Sequence, residues 1–315
     1  MREAGKVCRR KKPKKQTDRH SARPAQRLAA CDRLPLTADM AELIRAYDNR
    51  NQPLVRPGGV LQATYFNLLR LRAGEVCRAH VPGCELLAVV LSGTADVKAG
   101  DVRFASVGQR ADVWSGPADS VYAGLEPLEI TAHTDAEVAI AGGRCATSHT
   151  PFRVRPEEVA MVDVGSNETK SRRRIFHVLG QQHAGRAGNL LVSELYADEG
   201  CWSGYPPHKH DTERPPEETF FEEVYHYRFQ PETGFGGQYC YNEGEEPRAV
   251  MARHGDTFLI DRGYHPTSTS PGHRGYIFTI LVGLHQRSLV QYFEPQHRHL
   301  MAGIPGLQAM RDKFK

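Results

Sequence analysis

With 315 residues, 40% hydrophobic and 25% charged, the chain is long enough for two ordinary domains or one doubled architecture, and no window approaches the roughly 18 uninterrupted apolar residues of a membrane span. The net charge of +4 comes from one end: residues 1 to 30 hold 11 Lys/Arg against Glu3 and Asp18, a local +9, so the remainder carries −5. That body has no basic footprint, which excludes nucleic-acid recognition as its main task.

In chain order, the first feature is the basic tail 1–30, with RRKKPKK at 9–15, expected to be solvated and disordered. It lacks the apolar stretch of a secretory signal. Seven scattered cysteines (Cys8, Cys31, Cys77, Cys84, Cys145, Cys201, Cys240) form no CxxC pair, so reduced thiols and a cytoplasmic location are expected. LTADMAELIRAYDNR, residues 36–50, reads as a helix capped by Thr37 with Met40, Leu43 and Ile44 as its apolar stripe.

From about residue 54, short β-rich runs alternate with Gly, Pro, Asn and Asp punctuation: LLAVVLSG, ADVKAGDVRF, LEITAHT, EVAIAGG. A second series of similar style starts near residue 174 with RIFHVL and continues through NLLVSELYA, EEVYHYRF, GGQYCYN, DTFLID and GYIFTILVGL. The expected architecture is all-β, two barrel-like, jelly-roll-like lobes with a few short helices. The lobes divide as residues 31–150 and 151–315, with 145–172 as the connection.

The chemistry concentrates in the second lobe. In PPHKHDTERPPEETFFEEVYHY, residues 206–227, His208 and His210 point the same way on an extended chain, about 7 Å apart, a pincer for one metal ion. Imidazole suits zinc, manganese, iron, nickel or copper, and a carboxylate sharpens the site. Glu222 and Glu223 are the candidates. An inward Glu223 brings Tyr225, Tyr227 and Phe229 to its face and sends Val224, His226 and Arg228 to the other, so Glu223 is preferred unless a bulge intervenes. In GDTFLIDRGYHP, residues 255–266, Gly263 permits a turn that presents His265. An octahedral ion on three histidines and one glutamate keeps two adjacent positions for substrate oxygens.

These residues resemble the cupin superfamily, whose small barrels carry His-x-His, then Glu, then a distant His after a Gly turn. YPPHKHD, the Pro-Pro-Glu-Glu insertion, EEVYHYR and GYHP together look like the 5-deoxy-glucuronate isomerase family, two-cupin enzymes of inositol breakdown. The resemblance spans about residues 50–298, including LSGTADV and FEPQH. It implies a bicupin with a divalent metal (zinc, manganese, iron or nickel) on His208, His210, Glu223 and His265. It further implies aldose-ketose isomerisation of 5-deoxy-D-glucuronate to 5-dehydro-2-deoxy-D-gluconate. The first lobe departs from the metal-binding pattern: it offers His80 and Glu85 but no His-x-His, and is expected to be a packing partner.

Candidates for proton transfer are Tyr225, Tyr227 and Glu218, with Glu222 nearby, and proton transfer and hydride shift both remain open. Arg262 or Arg228 would meet the substrate carboxylate if strand twist brings either inward. Lys209 should face away from the histidines. Pro215 and Pro216 stiffen the insertion, whose acids Asp211, Glu213, Glu217 and Glu218 should keep it solvated as a lid over the barrel mouth. The expected partner is a small sugar acid, with neither nucleic acid nor membrane, and a homo-oligomer is compatible with the sequence. A cupin dioxygenase, another sugar-acid isomerase and a non-enzymatic sugar-acid binder are the competing readings. Oxygen uptake would mark the first, and turnover would exclude the last.

Overall fold

The computed structural model describes residues 42–314. The basic tail, Thr37 and Met40 lie outside the described residues. The first lobe has a five-stranded antiparallel sheet in the spatial order Phe152–Val154, Asp119–Gly124, Cys84–Ser92, Ala136–Arg144, Thr64–Leu71. Opposite it lies a four-stranded sheet of Val76–Ala79, Leu128–Ala132, Ala95–Ala99 and Val102–Val107. Leu69, Leu86 and Val138 from one sheet and Val97, Val107 and Ile130 from the other form one buried core.

The second lobe repeats the plan. Its large sheet has seven strands, in the order Glu42–Ile44, Thr257–Ile260, Phe221–Gln230, Arg274–Gly283, Leu190–Ala197, Arg173–Leu179, Ala160–Val164. A four-stranded sheet (Trp202–Ser203, Thr267–Thr269, Phe235–Cys240, Arg248–Arg253) and the pair His208–Lys209 with Tyr292–Phe293 complete the barrel.

The two large sheets pack back to back. Phe66, Leu87 and Val89 of the first lobe share a core with Val224, Phe278 and Ile280 of the second, and the Phe66 and Phe278 rings lie 6.0 Å apart. Central strands are therefore buried on both faces, which is why LLAVVLS and YIFTILVG read as continuous apolar runs rather than alternating ones. Polar groups in this seam are matched across it. Glu222 accepts from the backbone N–H of Gln62 (2.5 Å), Ala63 (3.0 Å) and Thr64 (3.1 Å) and from the Thr64 hydroxyl (2.8 Å). Glu222→Ala strands these four donors, three of them buried, and should lower stability by about 3 kcal/mol in a denaturant titration.

Two expectations are corrected. Residues 42–50 are not helical: Glu42–Ile44 is an edge strand on Thr257–Ile260, with Leu43 opposite Phe258. Leu43 and Ile44 would share a helix face, but here they point to opposite sides and pack into different cores. Asp256 then holds the chain by accepting from the Arg45 guanidinium (2.7 Å) and the Ala46 N–H (3.0 Å). The segment 145–172 is more than a connection, because Phe152–Val154 pairs with Asp119–Gly124 of the first lobe and Ala160–Val164 with Arg173–Leu179 of the second. Among the described residues the helical elements are three 3₁₀ segments and one α-helix, Leu307–Phe314. No helix among the described residues is long and apolar enough to cross a membrane.

Candidate metal centre

His208 begins a two-residue strand, and alternation puts His208 and His210 on one side and Lys209 on the other, where its ammonium meets Asp211 and Glu218. Glu223 sits on the inner face of Phe221–Gln230. His265 follows Gly263, whose φ of +86° favours glycine, and a Cβ there would lie 2.8 Å from the Tyr241 carbonyl oxygen. The Gly263 N–H donates to Asp211 at 2.8 Å, so the insertion and the histidine turn are tied together.

His208, His210 and His265 are all buried, and their ligand atoms lie within 4.8 Å of one another. Each Nδ1 faces a backbone carbonyl: Pro206 (3.3 Å), Phe221 (2.8 Å) and Gly263 (2.8 Å) respectively. A carbonyl only accepts, so each Nδ1 carries a proton, and in the neutral ring each Nε2 is left as a lone pair. Glu223 Oε2 lies 3.0 Å from His210 Nε2 and 3.1 Å from His265 Nε2. Lone pairs and a carboxylate converging in a dry interior repel until protons or a cation join them, and this donor set fits a divalent ion.

The electrostatics agree. Burial would raise Glu223, but His210 and His265 beside it outweigh that and hold the carboxyl at about 2 when no ion is bound. Burial, reinforced by the neighbouring His265 and His210, drives His208 well below its ordinary value. His210 is burdened by desolvation yet raised on balance by Glu223.

Glu222 belongs to the seam between the sheets. The Tyr225 ring is 6.2 Å from His265, and burial followed by the Glu223 carboxylate pushes its phenol well above the usual value. Tyr227 donates its hydroxyl to Gln238 and also meets Thr267 Oγ1 at 3.3 Å. Glu218 is fully buried; its oxygens accept from the Asp211 (2.9 Å) and Thr212 (3.2 Å) N–H groups and from Arg214 (2.9 Å). It therefore organises the insertion rather than solvating it, and only Glu213 and Glu217 of the four acids are exposed. Arg228 stays on the outer face and pairs with Glu137 of the first lobe at 2.7 Å, so strand twist does not bring it inward. Arg262 is partly exposed, 3.6 Å from Glu245.

In the first lobe His80 is exposed, while Glu85 is buried and accepts from Tyr122, Gly188 and Leu190. An open cavity of about 590 Å³ in that lobe is lined by Arg56, Cys77, His80 and Arg144, and none of the clustered histidines borders it. Two inner groups escaped the sequence reading. Gln291 donates to His208 Nε2 at 2.9 Å, from a loop whose course nothing in the sequence indicates. Arg173 is 2% exposed; its alternation with Ile175 was the available signal, masked by the surrounding run of arginines.

Two stacked barrels, one carrying three histidines and a glutamate on its inner wall, define the bicupin class. The likeness to the oxalate decarboxylase of Bacillus subtilis is one of fold: a serine-to-alanine mutant of that enzyme superposes with a TM-score of 0.54 at 11% identity, covering 81% of this chain and 79% of that one. The chain belongs to the KduI/IolB family, whose model matches residues 46–300. It is 32% identical over 221 residues to the 5-deoxy-glucuronate isomerase of Geobacillus kaustophilus, covering 69% of this chain and 79% of that one. To the protein of that name in Bacillus subtilis strain 168 it is 29% identical over 239 residues, 75% and 87% of the two chains. The crystal structure of an IolB-like protein from Salmonella typhimurium LT2 superposes with a TM-score of 0.77 at 28% identity, covering 84% of this chain and 99% of that one. The expected fold and family are borne out.

Proposed function

We propose that this chain isomerises 5-deoxy-D-glucuronate to 5-dehydro-2-deoxy-D-gluconate, with a divalent ion held by His208, His210, His265 and Glu223. The observation that carries the proposal, within this family, is the set of three clustered imidazoles whose Nδ1 atoms are committed to carbonyls, with Glu223 beside the Nε2 atoms of His210 and His265. Zinc, manganese, iron and nickel all suit that donor set. A bound ion would supply Lewis-acid polarisation of the substrate carbonyl and its neighbouring hydroxyl.

The protein's own groups do the rest. The histidines and Glu223 are buried, so a substrate held there would react away from bulk water. Tyr225, held protonated by burial and by Glu223, is suited to donate its proton to a substrate oxyanion and unsuited to remove the proton from carbon. Tyr227, engaged with Gln238 and Thr267, serves as wall. Glu218 holds the insertion in place. The second lobe carries the chemistry and the first supports it. Free Cys77, Cys84, Cys145, Cys201 and Cys240 suit a reducing cytoplasm.

The test is incubation of metal-analysed protein with 5-deoxy-D-glucuronate under NMR and an oxygen electrode. Ketone without oxygen uptake is expected; oxygen consumption, or untouched substrate with metal bound, contradicts the reading. In the same assay Tyr225→Phe should retain metal and lose roughly 100-fold in kcat, the scale of a missing general acid.

A further inference from the structure

The inner face that bears Glu223 carries another charged group. Following the hydrogen-bonded registers, Phe229, Gly275, Ala197 and Arg173 stand side by side across four strands, so Arg173 shares its face with Glu223, Tyr225 and Tyr227. Its guanidinium donates to two neutral acceptors, the carbonyls of Ser171 (2.8 Å) and Tyr205 (2.9 Å). Tyr205 lies three residues before His208, which links this arginine to the histidine strand.

Arg173 and Arg110 are the arginines buried below a tenth among the described residues, at 2% and 5% exposure. Arg110 has a buried carboxylate, Glu194, 2.6 Å away. Arg173 has no carboxylate within ion-pair distance among the described residues. A buried cation without a counter-charge is costly to keep, and burial alone brings this guanidinium down to about 10, whereas Glu194 raises Arg110 despite its burial. Its field reaches the Tyr225 phenol, whose ring in turn stands beside His265. A second observation points the same way. Ser203, 2% exposed and in the short strand between Cys201 and Tyr205, has a buried hydroxyl without a hydrogen-bond partner. It pairs in register with Thr267, whose hydroxyl meets Tyr227.

We propose that Arg173 anchors the carboxylate of the sugar-acid substrate, supplying the ion pair that the protein itself leaves unmade, with the Ser203 hydroxyl as a further donor to the same end. This rests on the isomerase reading. A six-carbon acid whose carbonyl end lies at the histidines would run past Tyr225 and end at this guanidinium, so Arg173 takes the role that Arg228 and Arg262 do not fill. Its planar fork matches a carboxylate in two parallel hydrogen bonds. Arg173 is accordingly a specificity determinant that distinguishes sugar acids from neutral aldoses.

The test compares kcat/KM for 5-deoxy-D-glucuronate and for neutral 5-deoxy-D-glucose in the metal-loaded parent and in Arg173→Gln, which keeps donors for the two carbonyls. The parent should prefer the acid by roughly 100-fold, and Arg173→Gln should lose most of that preference with metal content and melting temperature unchanged. A preference that survives the substitution overturns the proposal. Calorimetric titration with D-glucarate, a sugar diacid without an aldehyde, separates this inference from the isomerase reading. If neither aldose reacts, the isomerase reading falls; glucarate binding that is lost about tenfold or more in Arg173→Gln still supports the anion site. Equal binding by both proteins, or none by the parent, removes it. Should Arg173→Gln fail to fold, Ser203→Ala carries the test. A severalfold rise in KM for the acid alone supports the assignment, and equal effects on both sugars refute it.

Discussion

His210→Ala is expected to abolish metal binding and cut turnover about 1000-fold or more, while leaving the barrel folded. The ring is buried, donates from Nδ1 to the Phe221 carbonyl and faces Glu223 with Nε2, so no neighbouring group can replace it. His208→Ala should behave alike. Glu222→Gln, one position from Glu223 but directed into the inter-sheet seam, should retain full metal content, which makes it the control for register.

The same geometry sets a pH dependence. Without metal, His210 is raised above its ordinary value of 6.5, on balance by Glu223, so its protonated form stabilises the fold below that pH and this contribution is lost as pH rises through the folded value. An ion needs the neutral ring and must displace that proton. Metal affinity should therefore rise with pH, and titrations in buffers of different ionisation enthalpy should show proton release. Affinity that is flat from acid to neutral pH would mean that His210 is not a ligand.

The second large effect concerns stability. Arg110 and Glu194 join the lobes through a buried ion pair at 2.6 Å, and Glu194 also accepts from the Tyr276 hydroxyl at 2.8 Å. Arg110→Met leaves the carboxylate without its cation in a dry seam and should cost about 3–5 kcal/mol in denaturant unfolding. Adding Glu194→Leu should recover much of that loss, because the penalty belongs to the orphaned charge. A single variant as stable as the parent would show that water or another cation reaches the seam.

Strand alternation, together with the family resemblance, carried much of the candidate site. The two put Glu223 inward, Val224, His226 and Arg228 outward, and Lys209 away from the histidines, and the strand register and ion pairs place these side chains on those faces. Gly263 was legible because a turn before His265 needs positive φ. Long-range packing was not legible. Leu43 and Ile44 have helical spacing with Met40, yet an edge position on Thr257–Ile260 places them in separate cores, and local propensity carries no trace of that partner. The acids of the insertion read as solvating, but Glu218 turns inward to pin backbone N–H groups that nothing else satisfies. Arg173 was hidden for a related reason, since its function depends on what is missing around it.

The most direct test of the central claim is to strip the protein with a chelator, return one divalent metal in steps, and follow turnover of 5-deoxy-D-glucuronate against metal bound. The account predicts no turnover in the stripped protein and a linear rise that saturates at one ion per chain, with none regained by His210→Ala. Full turnover after stripping, or saturation that persists in His210→Ala, would contradict it.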